Sequence, residues 1–125
     1  MIRVEHITVS VETKNLLEDA SVSFESGKIN LIVGPNGAGK STLIRALSRQ
    51  VKINTGKIFF NQKEVQSYSF GELARIRAVL SQHVEIPFPL KAWEVVMMGR
   101  YPHFIGRPGP QDEQAKYFQG RPLLP

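Results

Sequence analysis

The sequence predicts an α/β fold in which an antiparallel pair of strands precedes a phosphate-binding loop and a helix. Polar and apolar residues alternate through residues 1–11, which is the pattern of a strand with one buried face. The apolar run at residues 29–33 leads directly into the glycine-rich stretch GPNGAGKST, residues 34–42, and an amphipathic segment follows. Strand, loop and helix therefore come in the order that a phosphate-binding loop requires.

Length and composition are those of one globular, cytosolic domain. The chain has 125 residues, of which 42% are hydrophobic and 22% charged, so it can bury a core. No apolar run approaches the roughly 18–20 residues that a membrane-spanning helix needs, and the N-terminus lacks the apolar centre of a signal peptide. The absence of cysteine excludes a disulfide framework and thiolate chemistry.

The net charge of +5 does not by itself indicate a nucleic-acid partner. The 16 Lys and Arg residues are scattered, and their densest cluster is Arg75-Ile76-Arg77. A nucleic-acid footprint needs a contiguous basic patch. We therefore predict ordinary surface charge and no nucleic-acid partner.

The first half of the chain is predicted to contain three strands and one helix. The strand at residues 1–11 is followed by a second strand through Ala20, Val22 and Phe24, and then by a turn at Gly27, which can take a positive φ. Residues 29–33 suit a strand buried on both faces. Residues 40–47 read as a helix whose inward side chains are Leu43, Ile44 and Leu47, with Arg45 and Arg49 outward.

The second half is predicted to alternate short strands, helices and loop. A strand is expected at residues 58–60, and Ser69 with Glu72 has the form of a capping box for a helix that runs to Arg77. A short strand at residues 78–81 would carry Gln82 at its end. A helix at residues 90–98 should end at Gly99, residues 101–110 should be loop, and Asp112 is suited to cap one more helix.

Residues 34–41 match the pattern G-x-x-x-x-G-K-[ST] of a phosphate-binding loop. The glycines allow the backbone to approach phosphate oxygens, and the N–H groups of residues 36–42 can point into one anion-binding concavity. The residues expected to contact the nucleotide phosphates are Asn36, Gly37, Ala38, Gly39, Lys40, Ser41 and Thr42. The Lys40 ammonium would bring a positive charge to the β- and γ-phosphates. Ser41 would place a hydroxyl on Mg²⁺, and Thr42 would reach the α-phosphate side. The alternative, a glycine-rich turn that binds nothing, does not explain the flanking strand and helix.

Four segments together resemble the ATP-binding subunits of ABC transporters over residues 1–115. They are the strand pair, GPNGAGKST, TGKIFFNQKEV at residues 55–65, and LSQHVEIPFPLKAWEVVMMGRYPHF at residues 80–104. The last segment resembles the importer branch for hemin, iron–siderophore complexes and cobalamin, and VVMMGRYPH is most similar to hemin importers. The resemblance implies a P-loop NTPase fold, here its N-terminal part with an antiparallel β subdomain and an incomplete core sheet.

The same resemblance implies cofactors, partners and residue roles. ATP and Mg²⁺ would be the cofactors, and transmembrane permease subunits and a second ATP-binding subunit the partners, at the inner face of the cell membrane. Lys40 and Gln82 would be catalytic, and Ser41 and Gln82 would contact Mg²⁺. The Gln82 amide can donate and accept hydrogen bonds at once, which suits a sensor of the γ-phosphate. The alternative is an ordinary polar residue at the end of a strand.

Two further features follow from comparing the chain with that family pattern. The family usually places an aromatic side chain upstream of the loop to stack on adenine, but nothing aromatic lies between His6 and Phe24. Val11 and Leu16 occupy that region, so adenine would meet an aliphatic surface. Residues 84–104, with Ile86, Phe88 and Tyr101, are expected to contact the transmembrane subunit. Alternatively Trp93, Val96 and Met97 are helix core, and residues 99–103 a plain helix stop.

Several parts of a complete ABC ATPase are not found in these 125 residues. The signature LSGGQ, a strand ending in Asp-Glu and a later switch histidine are missing, and Asp112 and Glu113 follow a Gly/Pro-rich loop instead of a buried strand. His6, His83 and His103 have no metal-site spacing. Residues 116–125 depart from the family pattern. We expect a truncated chain that does not hydrolyse ATP alone, with an unpaired edge at residues 29–33 and a tendency to aggregate.

Two other functions stay open at this point. One is a different P-loop NTPase, of the DNA-repair or kinase type, which the segment after Gln82 disfavours. The other is a non-catalytic nucleotide-binding remnant, which the missing strand and acidic pair favour. The sequence alone does not decide whether the chain is an enzyme.

Overall fold

The computed structural model describes residues 1–83, 86 and 88–114, apart from the side chains of residues 113 and 114, and the chain divides into two compact units. The units are Met1–Ser69 and Phe70–Pro125. The first unit holds strands β1 (Ile2–Val11), β2 (Lys14–Phe24), β3 (Thr55–Phe60) and β4 (Lys63–Glu64), helix α1 (Lys40–Leu47) and a 3-10 turn (Val65–Ser67). The second holds helices α2 (Phe70–Ile76), α3 (Ala92–Met98) and α4 (Pro110–Gln114) and a 3-10 turn (Tyr101–His103). The predicted atypical tail, residues 116–125, lies outside the described residues.

The first unit is built on a four-stranded antiparallel sheet in the order β2-β1-β3-β4. β1 is central because Ile2 pairs with Phe24 of β2 on one side and with Phe60 of β3 on the other. Val4, Ile7 and Val9 are buried, and a register shift between Val4 and Ile7, where His6 has φ of 48°, brings Ile7 and Val9 to the core side although Val4 and Ile7 are three residues apart. Fully burying each of these side chains stabilises the fold by roughly 1.5–3 kcal/mol. The predicted antiparallel β subdomain is confirmed.

Helix α1 packs a narrower face on this core than the sequence predicted. Leu43 and Ala46, three residues apart, are buried, while Ile44 is exposed and Leu47 half-buried. The inward position of Ile44 is therefore wrong: only the stripe through Leu43 and Ala46 is covered in the described residues. Arg49, expected to point outward, is half-buried and its Nη1 donates to the Tyr68 carbonyl at 2.7 Å.

The predicted buried strand at residues 29–33 is wrong. No strand is formed there in the described part of the chain, and Ile29, Leu31 and Val33 are 90%, 82% and 77% exposed. A strand requires ladder hydrogen bonds to a neighbour, and a parallel strand also requires helices over its faces. Residues 29–33 thus have the composition of a central strand but lack the neighbouring strands and helices that would bury one. An unpaired edge at these residues was the expectation from the sequence.

The second unit is small, and its buried apolar side chains in the described residues are Leu73 of α2 and Met97 of α3. Helix α2 begins after Ser69 as predicted and ends one residue before Arg77. Helix α3 ends at Gly99 as predicted. The predicted strand at residues 78–81 is wrong, because no ladder partner forms there and Leu80 is 93% exposed. No helix in the described residues has the length and apolarity to cross a bilayer.

An ion pair fixes the chain around α4. Asp112, the third residue of α4, is buried and accepts the Gly109 N–H at 2.9 Å. Its predicted position at the start of the helix is wrong because α4 already begins at Pro110, and the carboxylate caps the helix by reaching back from the first turn. Arg100 donates to Asp112 Oδ1 through Nε at 2.9 Å and Nη2 at 2.8 Å. The Gly109 N–H, followed by Arg100, holds the pKa of Asp112 below its usual value.

Replacing Leu31 with lysine should weaken self-association of the chain. The exposed run at residues 29–33 offers apolar surface and unpaired backbone to a second chain, and a charge blunts such an edge. Removing the contribution of one buried leucine, about 1.5–2 kcal/mol, should weaken the association constant by roughly 10-fold or more. Analytical ultracentrifugation over a concentration series measures the change.

Ser23→Lys is the matched control, because it adds the same charge at an exposed position of β2. Equal association of the two variants, or a monomer that unfolds cooperatively at high temperature, would contradict the expectation.

Candidate phosphate-binding site

The glycine-rich loop forms a tight turn immediately before α1. Gly37 and Gly39 have φ of 83° and 91°, a backbone conformation that other residues adopt at a penalty. The Ala38 N–H donates to the Pro35 carbonyl at 3.2 Å, which closes the turn. The chain therefore reverses direction within residues 34–39 and enters the helix at Lys40.

The start of α1 presents main-chain N–H groups that have no acceptor inside the helix. The first hydrogen bond of the helix runs from the Leu43 N–H to the Gly39 carbonyl at 2.8 Å. The N–H groups of residues 39–42 precede it, so they are the donors that every helix N-terminus leaves unsatisfied. No acidic residue lies in the first turn. The aligned peptide dipoles add a partial positive charge of about +0.5 at this end, which favours an anion.

The Lys40 side chain folds back across the loop. Its Nζ donates to the Gly34 carbonyl at 2.7 Å and to the Pro35 carbonyl at 2.6 Å. An ammonium group carries three donors, so two neutral carbonyls hold it in place without neutralising it. The positive charge therefore lies over the same turn that presents the N–H groups. The expected contact of Lys40 with phosphate stays a prediction.

Gly39 is also the point at which the loop contacts the sheet. A Cβ at this position would lie 2.9 Å from the Leu16 carbonyl oxygen and 2.9 Å from Leu17 Cδ1. Both atoms belong to β2, so the absence of a side chain allows the loop and strand to approach closely. The contact fixes where the N-terminus of α1 lies relative to the β1–β2 hairpin.

The residues present fit a metal ion that arrives with a phosphate ligand. The Ser41 hydroxyl is exposed in the first turn of α1, and a hydroxyl oxygen suits a hard cation such as Mg²⁺. No group of three or more His, Cys, Asp or Glu side chains among the described residues could hold a metal by itself. Additional oxygen ligands would have to come from the bound phosphates and water.

Gln82 belongs to the second unit, where it is exposed in a segment without helix or strand. The sequence placed it at the end of a strand, which is wrong because residues 78–81 form none. Its expected roles, contact with Mg²⁺ and catalysis together with Lys40, stay a prediction.

Sequence reasoning missed two contacts that shape the site. The Gly34 and Pro35 carbonyls hold Lys40, and the Leu16 carbonyl lies against Gly39. Every residue has a main-chain carbonyl, so no pattern of side chains could have indicated that these three carbonyls make the contacts. The glycine itself was the one available signal, because Gly39 marks a place where another atom approaches the backbone closely.

Comparison with known proteins finds similar sequences for most of the chain. The profile of the ABC transporter family matches residues 17–119. The hemin import ATP-binding protein of Methylobacillus flagellatus is 40% identical over 114 residues, which are 91% of this chain and 42% of that protein. The protein of the same name from Agrobacterium fabrum is 44% identical over 79% of this chain and 38% of its own length. The chain spans about two-fifths of the length of these relatives.

Solved structures of ATP-binding cassettes share the fold. The cassette MJ1267 superposes with a TM-score of 0.70 at 25% identity, over 92% of this chain and 49% of that one. The dimeric, post-hydrolysis cassette MJ0796 bound to ADP and Pi superposes with a TM-score of 0.73 over 92% of this chain and 54% of its own, at 22% identity. The fold class predicted from the sequence is confirmed.

Replacing Gly39 with alanine should destabilise the first unit more than the same change at Gly27. Both residues have positive φ, 91° and 73°, so both alanines adopt an unfavourable conformation that costs about 1 kcal/mol. Only at Gly39 does the new Cβ collide with β2, which should cost roughly a further 1–3 kcal/mol. The free energy of unfolding in urea measures the difference.

Gly27 is the matched control because a Cβ added there would meet no atom within 4 Å. Equal losses of stability in the two variants would show that the Gly39–β2 contact is absent in solution.

Proposed function

Because this chain belongs to the ABC transporter family, we propose that residues 34–42 bind Mg-ATP for a subunit that powers import of hemin or an iron chelate. The observation that carries the proposal is the convergence of the N–H groups of residues 39–42 and the Lys40 ammonium on one turn. Main-chain donors, a helix N-terminus and a lysine charge together suit a polyphosphate better than a single carboxylate.

Each loop residue has a definite part in this proposal. The N–H groups of residues 36–42 surround the phosphates, and the Lys40 ammonium exchanges its carbonyl partners for β- and γ-phosphate oxygens. Thr42 contacts the nucleotide on the side of the α-phosphate. The exchange is favourable because a phosphate oxygen carries charge and the Gly34 and Pro35 carbonyls do not.

Ser41 and Gln82 are the residues that would hold Mg²⁺ beside the phosphates. The bound ion would neutralise phosphate charge and orient the γ-phosphate. The Ser41 hydroxyl is already exposed on the first turn of α1. Gln82 supplies an amide oxygen that can accept from a water molecule or contact the ion.

Binding and turnover are separate properties of these 125 residues. Lys40 and the loop N–H groups contact phosphate, but none of the residues matched to the family pattern is a carboxylate that could activate water. We therefore expect Mg-ATP binding without steady-state hydrolysis by this chain. In the family, two ATP-binding subunits complete each other's sites, so a second such subunit is the proposed partner for turnover.

The transported substrate and the permease partner follow from the likeness to relatives. The two relatives described above are named hemin import ATP-binding proteins, and the segment VVMMGRYPH gave the same assignment from the sequence. Hemin is accordingly the favoured cargo, with an iron chelate as the second choice. The subunit would lie at the inner face of the membrane through its contact with transmembrane permease subunits.

Replacing Lys40 with alanine should abolish most Mg-ATP binding. Hydrogen bonds from a charged donor contribute about 1.5–3 kcal/mol, so the dissociation constant should rise roughly 10- to 150-fold. Isothermal titration calorimetry with Mg-ATP measures it. Lys28→Ala, which removes an exposed lysine paired with Glu25, should bind as the unchanged chain does.

Equal affinities of Lys40→Ala and Lys28→Ala would contradict the proposed phosphate contact. Steady-state ATP turnover by the chain that Lys40→Ala abolishes would contradict the expectation of binding without hydrolysis.

The proposed permease surface lies in the second unit. Of the predicted docking stretch, residues 84–104, Val84, Glu85 and Pro87 lie outside the described residues, and Ile86, Phe88 and Tyr101 are exposed. The turn that carries Tyr101 is held by Arg75, whose Nε donates to the Pro102 carbonyl at 2.6 Å. Tyr101 also packs edge-to-face on Phe104, with ring centroids 5.7 Å apart. An apolar surface held in this way suits a protein partner.

Replacing Phe88 or Tyr101 with glutamate should weaken association with the permease. A buried charge without a partner is strongly unfavourable, so the loss should be about 2 kcal/mol or more, roughly 30-fold in the dissociation constant. Co-purification with the transmembrane subunit in detergent, quantified by surface plasmon resonance, measures it. Ile76→Glu, at an exposed position of α2, is the matched control. Undiminished binding by both the Phe88 and the Tyr101 variant would exclude this surface.

A further inference from the structure

We infer that Asn36 of the phosphate loop is a site of spontaneous deamidation, and that conversion of its side-chain amide to a carboxylate weakens anion binding by the loop. The modification needs no enzyme and takes place within the dipeptide Asn36-Gly37. Its effect on Mg-ATP rests on the proposed function, whereas the modification itself does not.

The reaction is an attack by the main chain on the neighbouring side chain. The Gly37 nitrogen loses its proton to a base in the solvent and bonds to Cγ of Asn36. The Cγ–Nδ2 bond breaks, and the departing nitrogen takes a proton from water and leaves as ammonia. Water then opens the resulting succinimide ring at either carbonyl, which gives aspartate or isoaspartate. One water molecule is consumed and one ammonia released, and nothing is oxidised or reduced.

The attacking nitrogen is accessible. Asn36 and Gly37 are exposed and occupy the two central positions of the turn that the Ala38 N–H closes on the Pro35 carbonyl at 3.2 Å. That bond is at the long end of the usual range, so the turn is held weakly. In the described residues the Gly37 N–H has no hydrogen-bond acceptor. A Cβ added at Gly37 would meet no atom within 4 Å, so the nitrogen lies in open space.

Asn36 differs from the other four asparagines in its side-chain contacts. Within the part of the chain that the structure describes, no hydrogen bond holds the Asn36 amide. Each of the others is held. Asn30 Nδ2 donates to the Glu25 carbonyl at 3.1 Å and to the Lys28 carbonyl at 3.2 Å. The Oδ1 atoms of the remaining three accept hydrogen bonds of 2.7 to 2.9 Å, and these residues are Asn15, Asn54 and Asn61.

Asn36 is also the one asparagine in the sequence that glycine follows. A side chain on the following residue hinders the approach of its main-chain nitrogen to Cγ, and glycine has none. The other asparagines precede residues with side chains, which are Leu16, Leu31, Thr55 and Gln62. Exposure, a free amide and a following glycine therefore coincide at Asn36.

A carboxylate at residue 36 opposes phosphate binding. The first turn of α1 contains no acidic residue, and the Lys40 ammonium lies against the carbonyls of Gly34 and Pro35. A negative charge one residue after Pro35 repels phosphate and offers that ammonium a charged partner. Isoaspartate also adds a carbon to the main chain between residues 36 and 37, which displaces the Gly37 N–H. Both products should therefore bind Mg-ATP more weakly.

Peptide mapping of the full chain tests the modification. The chain is incubated in mildly alkaline buffer without nucleotide. Cleavage by trypsin after Lys28 and Lys40 then releases residues 29–40, which hold Asn30 and Asn36 in one peptide. Fragment mass spectra assign the change from amide to acid to one asparagine or the other, and a sample digested at time zero gives the background from the digest itself.

Asn36 should deamidate at least about tenfold faster than Asn30, because glycine leaves the attacking nitrogen unhindered. Asn36→Gln is the control for the assignment, since its longer side chain would have to close a larger ring and should keep its amide over the same period. Equal rates at Asn36 and Asn30 in the unchanged chain would overturn the inference.

Mg-ATP binding tests the consequence. Ion-exchange chromatography separates the acid form from the amide form of one incubated sample, because the two forms differ by one negative charge. Isothermal titration calorimetry should give a dissociation constant at least about tenfold higher for the acid form, and Asn36→Asp should show the same increase. Equal affinities of the acid and amide forms would overturn the inference.

The fresh chain separates this inference from the proposed function. Failure of the unmodified chain to bind Mg-ATP would overturn the proposed function and the predicted loss of binding. The relative rates at Asn36 and Asn30 would still decide whether Asn36 is a modification site, because they are measured without nucleotide.

Discussion

The site depends on the contact between Gly39 and strand β2. Without a side chain at Gly39, the Leu16 carbonyl and Leu17 approach the loop to a distance that a Cβ would not allow. The N-terminus of α1 is thereby fixed to the sheet, and the packing of Leu43 and Ala46 in the core holds the rest of the helix. The orientation of the free N–H groups, the reach of Lys40 and the position of the hairpin all follow from this one approach.

The parts of the structure that the sequence predicted are those determined locally. The alternation of residues 1–11 is a property of one strand and predicted β1, although the register shift that brings Val4, Ile7 and Val9 to the core together was not predicted. The loop pattern likewise specifies its own turn, because Gly37 and Gly39 are needed where φ is positive. Asp112 indicated a helix near its position, because its carboxylate in the first turn of α4 accepts the Gly109 N–H. In each case the physical cause lies within a few residues of the signal.

The parts that were wrong depend on partners elsewhere. Residues 29–33 have the composition of a buried strand, but a strand needs neighbours for its backbone hydrogen bonds, and none forms there in the described residues. Helical spacing predicted that Ile44 points inward, but it is exposed. Spacing predicts which side of a helix is apolar, but the width of the face that is buried depends on the neighbouring elements. The main-chain carbonyls that hold Lys40 cannot be predicted from the pattern of side chains. The composition of a segment indicates which secondary structure it can form, and its tertiary partners decide whether that structure forms.

The central claim, that the N–H groups at the start of α1 and Lys40 bind the phosphates of ATP, is tested most directly by amide NMR. Titration with Mg-ATP should shift the amide protons of residues 39–42 strongly downfield as they acquire phosphate acceptors. The Leu43 amide already donates to the Gly39 carbonyl within the helix, so it should move least in the first turn. Uniformly small shifts at residues 39–42, or a larger shift at Leu43 than at those residues, would contradict the account.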